Sequence, residues 1–342
     1  MNSFYLGIDL HLKRTYAVLM DHQGQVFAER RLPNNEMATY LKENVPKETY
    51  AVLEATRNWP FFYDLLKENV ERVELAHPKE LKAISAAAVK TDKIDARTLA
   101  HLARLNFLPI AYAAPADIRD LRLELRHRDN LVGQRTQAKN RVHAVLARYN
   151  LVSPKSDLFG ASGRKFLAEV MQSSLRPAAA RAIQRDLGLI DYLTELITDI
   201  EQSIHLDPEQ ERMVKILRTM PGIGRLGAVI LLAEIGDVQR FKSPKALCNW
   251  AGLTPRVRNS DKIIRHGRIS KQGPALVRAT MTRAATVAYR CSKYWYRIHD
   301  QITNHSGSKV AKVAVARRML TVIYFMLKRQ EPYQENYLSK DR

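Results

Sequence analysis

Cysteine is nearly absent from this chain of 342 residues, which has only Cys248 and Cys291 and no Cys-x-x-Cys pair. Neither a disulfide framework nor a zinc site is therefore implied. Long apolar runs are absent too, because the longest, residues 228–236, is too short to span a bilayer. The N-terminus lacks the basic segment and the apolar run of a signal peptide. These absences predict a reduced, cytoplasmic protein with no membrane segment.

Acidic residues are scarce, since 35 Asp and Glu stand against 55 Lys and Arg, for a net charge of +20. Over half of this excess lies in residues 240–300, which contain 14 basic and only 2 acidic residues. A local patch of this size favours a nucleic-acid phosphate backbone as the partner. The alternative is a merely basic cytosolic protein. The hydrophobic content of 46% is enough for a sizeable core.

The first third of the chain alternates β-rich and helical segments, which predicts an α/β sheet covered by helices. Residues 4–10, 15–21 and 25–32 are expected to form a three-strand meander. The remaining expected elements are strands at 49–55 and 70–77 and helices at 34–44, 59–69, 78–88 and 91–105.

From Pro115 onwards the pattern becomes helical. Apolar residues with near-heptad spacing, such as Leu121, Leu125 and Ile190, predict two long helices. Such helices favour an antiparallel hairpin or an intermolecular coiled coil. The alternative is a pair of ordinary amphipathic helices packed on their own domain.

The last third is basic and mostly helical, with helices expected at 274–290 and 308–329 and a polar loop at 255–272. The fold class is therefore α/β plus α. The expected domains are an α/β domain at 1–112, a helical or coiled-coil region at 113–207 and a basic domain at 208–342.

Four acidic residues stand out by their positions. Asp9 ends the first apolar strand and Glu54 ends a later one, so both carboxylates should meet at one rim of the sheet. Asp92 and Asp95 are three residues apart in a helical segment and therefore share a face. Four such oxygen ligands suit Mg²⁺ or Mn²⁺. A pair of these ions can bind the attacking oxygen and the leaving oxygen when a phosphodiester is cleaved.

Two other interpretations of the helical acids remain open. Lys90, Lys93 and Arg97 could form ion pairs with them along an exposed helix. Asp92 could also serve only as a cap of its helix.

In the order of its acids the chain resembles the RuvC-like DEDD transposases of bacterial insertion sequences known as the one-ten family. The segments that carry the resemblance are “GIDLH”, “LEAT” and “KTDKIDARTLA”. Residues 217–281, from “LRTMPGIG” to “ALVRATM”, are similar to the family's second transposase domain. The resemblance implies an RNase H/RuvC-like N-terminal domain with Asp9, Glu54, Asp92 and Asp95 as catalytic metal ligands.

The basic domain contributes a second set of candidate residues. The “MPGIG” turn, with Gly222 and Gly224, is typical of a helix–hairpin–helix that binds phosphate, although a plain interhelical turn fits equally well. Ser260 follows in a basic segment, where a serine is ordinarily a phosphate contact. The resemblance makes Ser260 the covalent nucleophile, with Ser270 as the other candidate. The expected nucleic-acid contacts are Gly222, Gly224, Arg256, Arg258, Lys262, Arg265, Arg268 and Lys271.

The resemblance further implies a recombinase that joins donor and target DNA under the guidance of a structured noncoding bridge RNA. Phosphoserine formation at Ser260, Mg²⁺ or Mn²⁺ at the acids, and a homodimer that assembles to a tetramer are part of that expectation. One rival is a metal-dependent endonuclease or junction resolvase in which water attacks the phosphate. The other is a non-catalytic nucleic-acid-binding protein.

Overall fold

The computed structural model describes residues 3–84, 91–260 and 263–335, and for 257–260 and 263–266 the description concerns the backbone. The chain forms two compact units, Met1–Ala113 and Ala114–Arg342. The first contains the large sheet and the second is mainly helical, so the expected mixture of an α/β part and an α part is confirmed. The three-domain division made from the sequence stays a prediction.

The first unit is built on a six-stranded sheet. Its strands are β1 (Phe4–Leu10), β2 (Arg14–Asp21), β3 (Val26–Pro33), β4 (Thr49–Glu54), β5 (Arg72–Ala76) and β6 (Ile110–Ala111). The helices of its described part are α1 (Met37–Asn44), α2 (Trp59–Asn69), α3 (Pro78–Ile84) and α4 (Asp92–Arg104). The helix expected at 34–44 begins with a 3₁₀ turn, and residues 85–88 of the helix expected at 78–88 lie outside the described residues.

The strands lie in the order β3-β2-β1-β4-β5-β6. The first three form the expected antiparallel meander, whereas β1, β4 and β5 run parallel. Because parallel strands end at the same edge of a sheet, the last residues of β1 and β4 lie side by side. Ile8 pairs with Leu53, so Asp9 and Glu54 follow at equivalent positions.

Alternation along β1 assigns its side chains to two faces. Leu6, Ile8 and Leu10 are buried on one face, in a core shared with α1 and α2. The opposite face is covered by α4, whose Ala96 and Ala100 pack there. Asp9 belongs to the α4 face because it stands one residue from Ile8 and from Leu10.

The second unit contains most of the helices. They are α5 (Ala116–Arg148), α6 (Ala161–Ser173), α7 (Pro177–Ser203), α8 (Pro208–Arg218), α9 (Arg225–Ile235), α10 (Pro244–Trp250), α11 (Ala275–Cys291), α12 (Lys293–Ser306) and α13 (Ser308–Arg329). Strands β7 (Pro255–Ser260) and β8 (Ile263–Ile269) form an antiparallel hairpin. The expectation of a loop over 255–272 is therefore wrong for most of that segment. Helices α6, α10 and α12 were not expected.

The two long helices α5 and α7 pack antiparallel within the chain. Apolar contacts join Leu131 to Leu193 and Ile197 along the pair. Ion pairs show the same antiparallel direction. Arg128 binds Glu201, and Arg141, which lies later in α5, binds Asp186, which lies earlier in α7. The antiparallel arrangement was one of the alternatives expected from the sequence, and an intermolecular coiled coil stays a prediction.

The core of the second unit lies among α8 to α13, and the beginning of α5 joins it through Leu121 and Leu125. A charged pair fixes the same end of α5. Both carboxylate oxygens of the buried Glu234 accept hydrogen bonds from Arg126, each at 2.8 Å. In the part of the chain that the structure describes, every helix is too short or too polar to cross a membrane.

Candidate active site

Asp9 is a buried carboxylate near the end of β1, with a relative exposure of 8%. Burial raises the pKa of its carboxyl, because the ionised form loses its hydration. The neighbouring charges of Asp95 and Asp92 raise that pKa as well, whereas His11 lowers it. Burial and the neighbouring acids therefore make ionisation of Asp9 harder than that of an exposed aspartate, and nearby positive charge makes it easier.

The beginning of α4 brings Asp92 and Asp95 to this carboxylate. Thr91 caps the helix, and its hydroxyl accepts a hydrogen bond from the backbone N–H of Ile94 at 3.3 Å. Both acids lie in the first helical turn, where the helix dipole favours negative charge. The helix can lie this close to β1 because of Gly7. A Cβ atom on Gly7 would stand 2.0 Å from the carbonyl oxygen of Ala96.

Two basic residues of α4 bind an acid that lies outside their own helix. Lys93 and Arg97 both bind the carboxylate of Glu29, which lies on β3. These contacts hold the pKa of Glu29 below its usual value, with the hydrogen bond from Lys93 as the largest cause. The opposite face of α4 is buried on the sheet, so the helix is not fully exposed.

Glu54 ends β4 on the α4 face of the sheet, because Tyr50 and Val52 of the same strand pack against α4. It therefore borders the edge where Asp9 stands. Asp95 acts electrostatically on Asp9 from one helical turn beyond Asp92. The expected four acids thus lie around one end of the sheet and the start of one helix.

Among the described residues, a group whose ligand atoms all lie within 4.8 Å of one another consists of Asp9, His11 and Asp92. His11 was not singled out from the sequence. Its Nε2 lies 3.1 Å from Oδ2 of Asp9 and 3.1 Å from Oδ1 of Asp92. The spacing of two residues from Asp9 was a usable signal, because residues i and i+2 of an extended chain share a face.

The backbone of His11 is held from two directions, which sequence reasoning also missed. The amide of Asn34 donates hydrogen bonds to the carbonyl oxygens of His11 at 3.0 Å and Leu12 at 3.1 Å. The amide of Asn58, which follows β4, donates to the same His11 oxygen at 3.2 Å. Asn34 is itself oriented by the fully buried Thr15, whose hydroxyl donates to it at 2.9 Å.

The predicted nucleophile lies in the second unit. Ser260 is the last residue of β7 and pairs with Ile263 across the hairpin, so it stands next to the connecting residues 261–262. Lys262 lies outside the described residues. The side chains of Ser260, Arg258 and Arg265 also lie outside them.

Hydrogen bonds join the two ends of the hairpin region. Arg256 donates a hydrogen bond to the carbonyl oxygen of Ser270 at 3.2 Å, and the hydroxyl of Ser270 accepts one from Gln272 at 3.4 Å. Arg268 and Lys271 are exposed. Nη1 of Arg278 contacts four carbonyl oxygens of this region at 2.9–3.3 Å, namely those of Ala251, Gln272, Gly273 and Pro274. Arg278 of α11 therefore holds the segment that follows the hairpin and the end of α10.

The glycines of “MPGIG” have different surroundings. Gly222 has a φ of +83°, and a Cβ atom there would stand 2.2 Å from the carbonyl oxygen of Ala284. Packing against α11 is thus a sufficient reason for this glycine. Gly224 caps the beginning of α9 and has open space where a side chain would be.

Two family models match successive parts of the chain. Residues 6–151 match the DEDD model of IS110 elements, which is described as a transposase. Residues 214–300 match the model of the transposase IS116/IS110/IS902 family. The chain belongs to the IS110 family of transposases. As a transposase of this family it is an enzyme that cuts and rejoins DNA.

Relatives of the same kind match nearly the whole chain. The transposase for insertion sequence element IS1111A of Coxiella burnetii is 24% identical and covers 96% of this chain and 91% of its own length. The transposase for insertion sequence element IS1328 of Yersinia enterocolitica is 23% identical, with coverages of 94% and 96%. The pilin gene-inverting protein of Moraxella bovis is 29% identical over 150 residues, which are 42% of this chain and 46% of its own.

A DEDD-type transposase suggests the use of a divalent metal, and the site fits one. Asp9 and Asp92 supply oxygen donors and His11 a nitrogen donor within one small volume. The raised pKa of the buried Asp9 carboxyl is the physical sign that positive charge would be favourable here.

Proposed function

We propose that this transposase is an RNA-guided DNA recombinase of an insertion sequence, which exchanges strands through a phosphoserine intermediate. The convergence of Asp9, His11 and Asp92 at the sheet edge, in a chain that matches both transposase models, carries this proposal. The second observation that supports the proposal is the basic hairpin that contains Ser260.

An RNase H/RuvC-like fold is proposed for the first unit. It is supported by an antiparallel meander followed by parallel strands, with the acids at the ends of β1 and β4 and at the start of α4. This arrangement is suited to holding a phosphodiester at the edge of the sheet, where neither face of the sheet obstructs it.

The proposed metal ligands are Asp9, Glu54, Asp92 and Asp95, and the proposed ion is Mg²⁺ or Mn²⁺. Carboxylate oxygens are the donors that these ions prefer. Such an ion, when bound, neutralises charge that develops on the scissile phosphate and its leaving oxygen. The protein contributes the spatial arrangement of the carboxylates. Thr91 and Gly7 help to set it, because they fix the position of the beginning of α4.

Ser260 is the proposed nucleophile. Its hydroxyl oxygen forms a bond to phosphorus while the bond from phosphorus to the DNA leaving oxygen breaks and that oxygen gains a proton. A DNA hydroxyl then attacks the phosphoserine and restores the serine. This route conserves the energy of the phosphodiester, whereas hydrolysis by water would discard it. The arginines and lysines that flank Ser260 in sequence are suited to stabilising the charge of the transferred group.

Donor DNA, target DNA and a structured guide RNA are the proposed partners. Residues 240–300, with 14 basic and 2 acidic residues, are the proposed contact to their phosphates. The proposed contact residues are Gly222, Gly224, Arg256, Arg258, Lys262, Arg265, Arg268 and Lys271. A homodimer that assembles to a tetramer is also part of the proposal.

Trapping of a covalent adduct tests the proposal. The full chain is incubated with its copurified RNA, Mg²⁺ and a DNA nicked beside the cleavage point, so that the short fragment diffuses away. Wild type is expected to yield a denaturant-stable protein–DNA species that maps to Ser260 by mass spectrometry. Ser260→Ala is expected to form neither adduct nor cut product while it still binds RNA and DNA.

Ser270→Ala serves as the control, since it removes the other serine of the segment, and it should retain the adduct. An adduct at Ser270 would show that the nucleophile has been misassigned. Cleavage by Ser260→Ala without any adduct would favour a metal-dependent nuclease or junction resolvase. Binding without cleavage in the wild type would favour a non-catalytic nucleic-acid-binding protein.

A further inference from the structure

His11 stands between two carboxylates from different elements. Its Nε2 is 3.1 Å from an oxygen of Asp9 on β1 and 3.1 Å from an oxygen of Asp92 on α4. An imidazole nitrogen carries at most one proton, so it cannot make two full hydrogen bonds at once. Charge-assisted hydrogen bonds are also usually shorter, at about 2.7–2.9 Å. The position of the His11 ring is thus not the best one for a hydrogen bond to either carboxylate.

The same spacing suits donors around one metal ion. Neighbouring ligands of an octahedral ion at about 2.1 Å from each donor are about 3.0 Å apart. The two distances from Nε2 are close to this value, and all three donors lie within 4.8 Å of one another. The three donors are therefore close to the spacing that a shared ion requires.

We propose that His11 is a nitrogen ligand of the metal site, in addition to the acids. This inference rests on the proposed function, because it concerns the same ion. Bound in this way, His11 gives the site a mixed nitrogen and oxygen donor set.

The backbone contacts of His11 support a ligand role. Asn34 and Asn58 fix its carbonyl oxygen from two separate parts of the chain. Surface loops are ordinarily mobile, whereas metal ligands need supporting contacts that hold them in position. The backbone that carries the half-exposed ring of His11 is therefore held in place.

A nitrogen ligand has a consequence for metal preference. Mg²⁺ takes oxygen donors almost exclusively, whereas imidazole suits transition metals. The wild-type chain should therefore bind Mn²⁺ more tightly than Mg²⁺, and removal of the imidazole should reduce this preference. With His11→Ala, the affinity for Mn²⁺ should fall about tenfold or more, and the affinity for Mg²⁺ should fall much less.

Pulsed electron paramagnetic resonance of Mn²⁺ bound to the full-length protein tests the assignment directly. A coordinating imidazole gives a ¹⁴N modulation on the Mn²⁺ signal, which does not depend on catalysis. Wild type is expected to give this modulation, and His11→Ala and His11→Gln are expected to lack it. The matched control is His22→Ala, which removes an exposed histidine from the turn between β2 and β3 and should keep the modulation.

The outcomes separate this inference from the metal site itself. Mn²⁺ that binds to the wild type but not to Asp9→Asn, with no ¹⁴N modulation, would keep the metal site and overturn the role of His11. A modulation that persists in His11→Ala would overturn it as well. An absence of Mn²⁺ binding in the wild type would overturn the metal site and this inference together. Thermal unfolding of both His11 variants without metal verifies that they fold.

Discussion

Replacement of Asp9 by asparagine should stabilise the metal-free protein while it abolishes DNA cleavage. Asp9 is buried, and its pKa is raised by that burial and by the charges of Asp95 and Asp92. Asparagine has nearly the same shape and no charge, so the folded chain no longer has to hold an anion in this position. The same change removes a ligand that the proposed chemistry requires.

The size of the effect follows from the spacing of the acids. Ligand atoms of Asp9 and Asp92 lie within 4.8 Å. Two unit charges at about this distance repel by ~0.9 kcal/mol in water and by ~3.5 kcal/mol at an effective dielectric constant of ~20. Asp92 is 40% exposed, so solvent screens much of the repulsion, and the lost attraction to His11 offsets part of the gain. We expect a net gain of about 1–2 kcal/mol, or roughly 4–8 °C in the melting temperature of the first unit.

Thermal unfolding with and without metal is the assay. In excess chelator, Asp9→Asn should melt above the wild type. With metal at ~100 times the Kd, the wild type should gain about 2.7 kcal/mol and the variant much less, so the order of the two melting temperatures should reverse. Unfolding of the first unit must be followed separately, for example by a local fluorophore, because the chain contains two units.

The dependence on pH has a definite sign. A folded-state pKa above the ordinary value of 3.8 means that the folded chain binds this proton more tightly than the unfolded chain. The stability contributed by that proton is present at low pH and is lost as the pH rises through the raised pKa. The advantage of Asp9→Asn should therefore shrink as the pH falls. A variant that melts below the wild type in chelator, or an order that metal does not reverse, would refute this reasoning.

Two further predictions concern the second unit. Arg126→Ala leaves the buried carboxylate of Glu234 without its guanidinium and should lower the free energy of unfolding by about 1–3 kcal/mol, whereas Arg212→Ala, in an exposed pair on α8, should leave the melting temperature unchanged. In fluorescence titrations with duplex DNA, contact with about six phosphates should give a slope of log K against log salt near −5, and Arg268→Ala should make it shallower by about one unit. A stable Arg126→Ala protein would contradict the first, and an unchanged slope in Arg268→Ala would locate the nucleic acid elsewhere.

The local pattern of the sequence was enough for the elements that carry the acids. Apolar runs that end in Asp9 and Glu54 predict buried strands, and the spacing of Asp92 and Asp95 predicts one helix face. Both depend on neighbouring residues alone, which is why the meander and the edge shared by β1 and β4 could be expected. The basic hairpin could not be, because its polar residues lack the apolar alternation that marks a strand.

Contacts between distant residues were decided only by the tertiary structure. Periodicity assigns a side chain to a face but does not say which element will cover that face. Gly7 lets α4 lie directly on β1, and this close packing brings Asp92 to His11 and Asp9. Lys93 and Arg97 of α4 bind Glu29, which lies on a strand more than sixty residues away in the sequence. The four acids could therefore be found from local sequence patterns. The contact of His11 with two of them, and the ion pairs of α4 with Glu29, depend on the packing of that helix against the sheet.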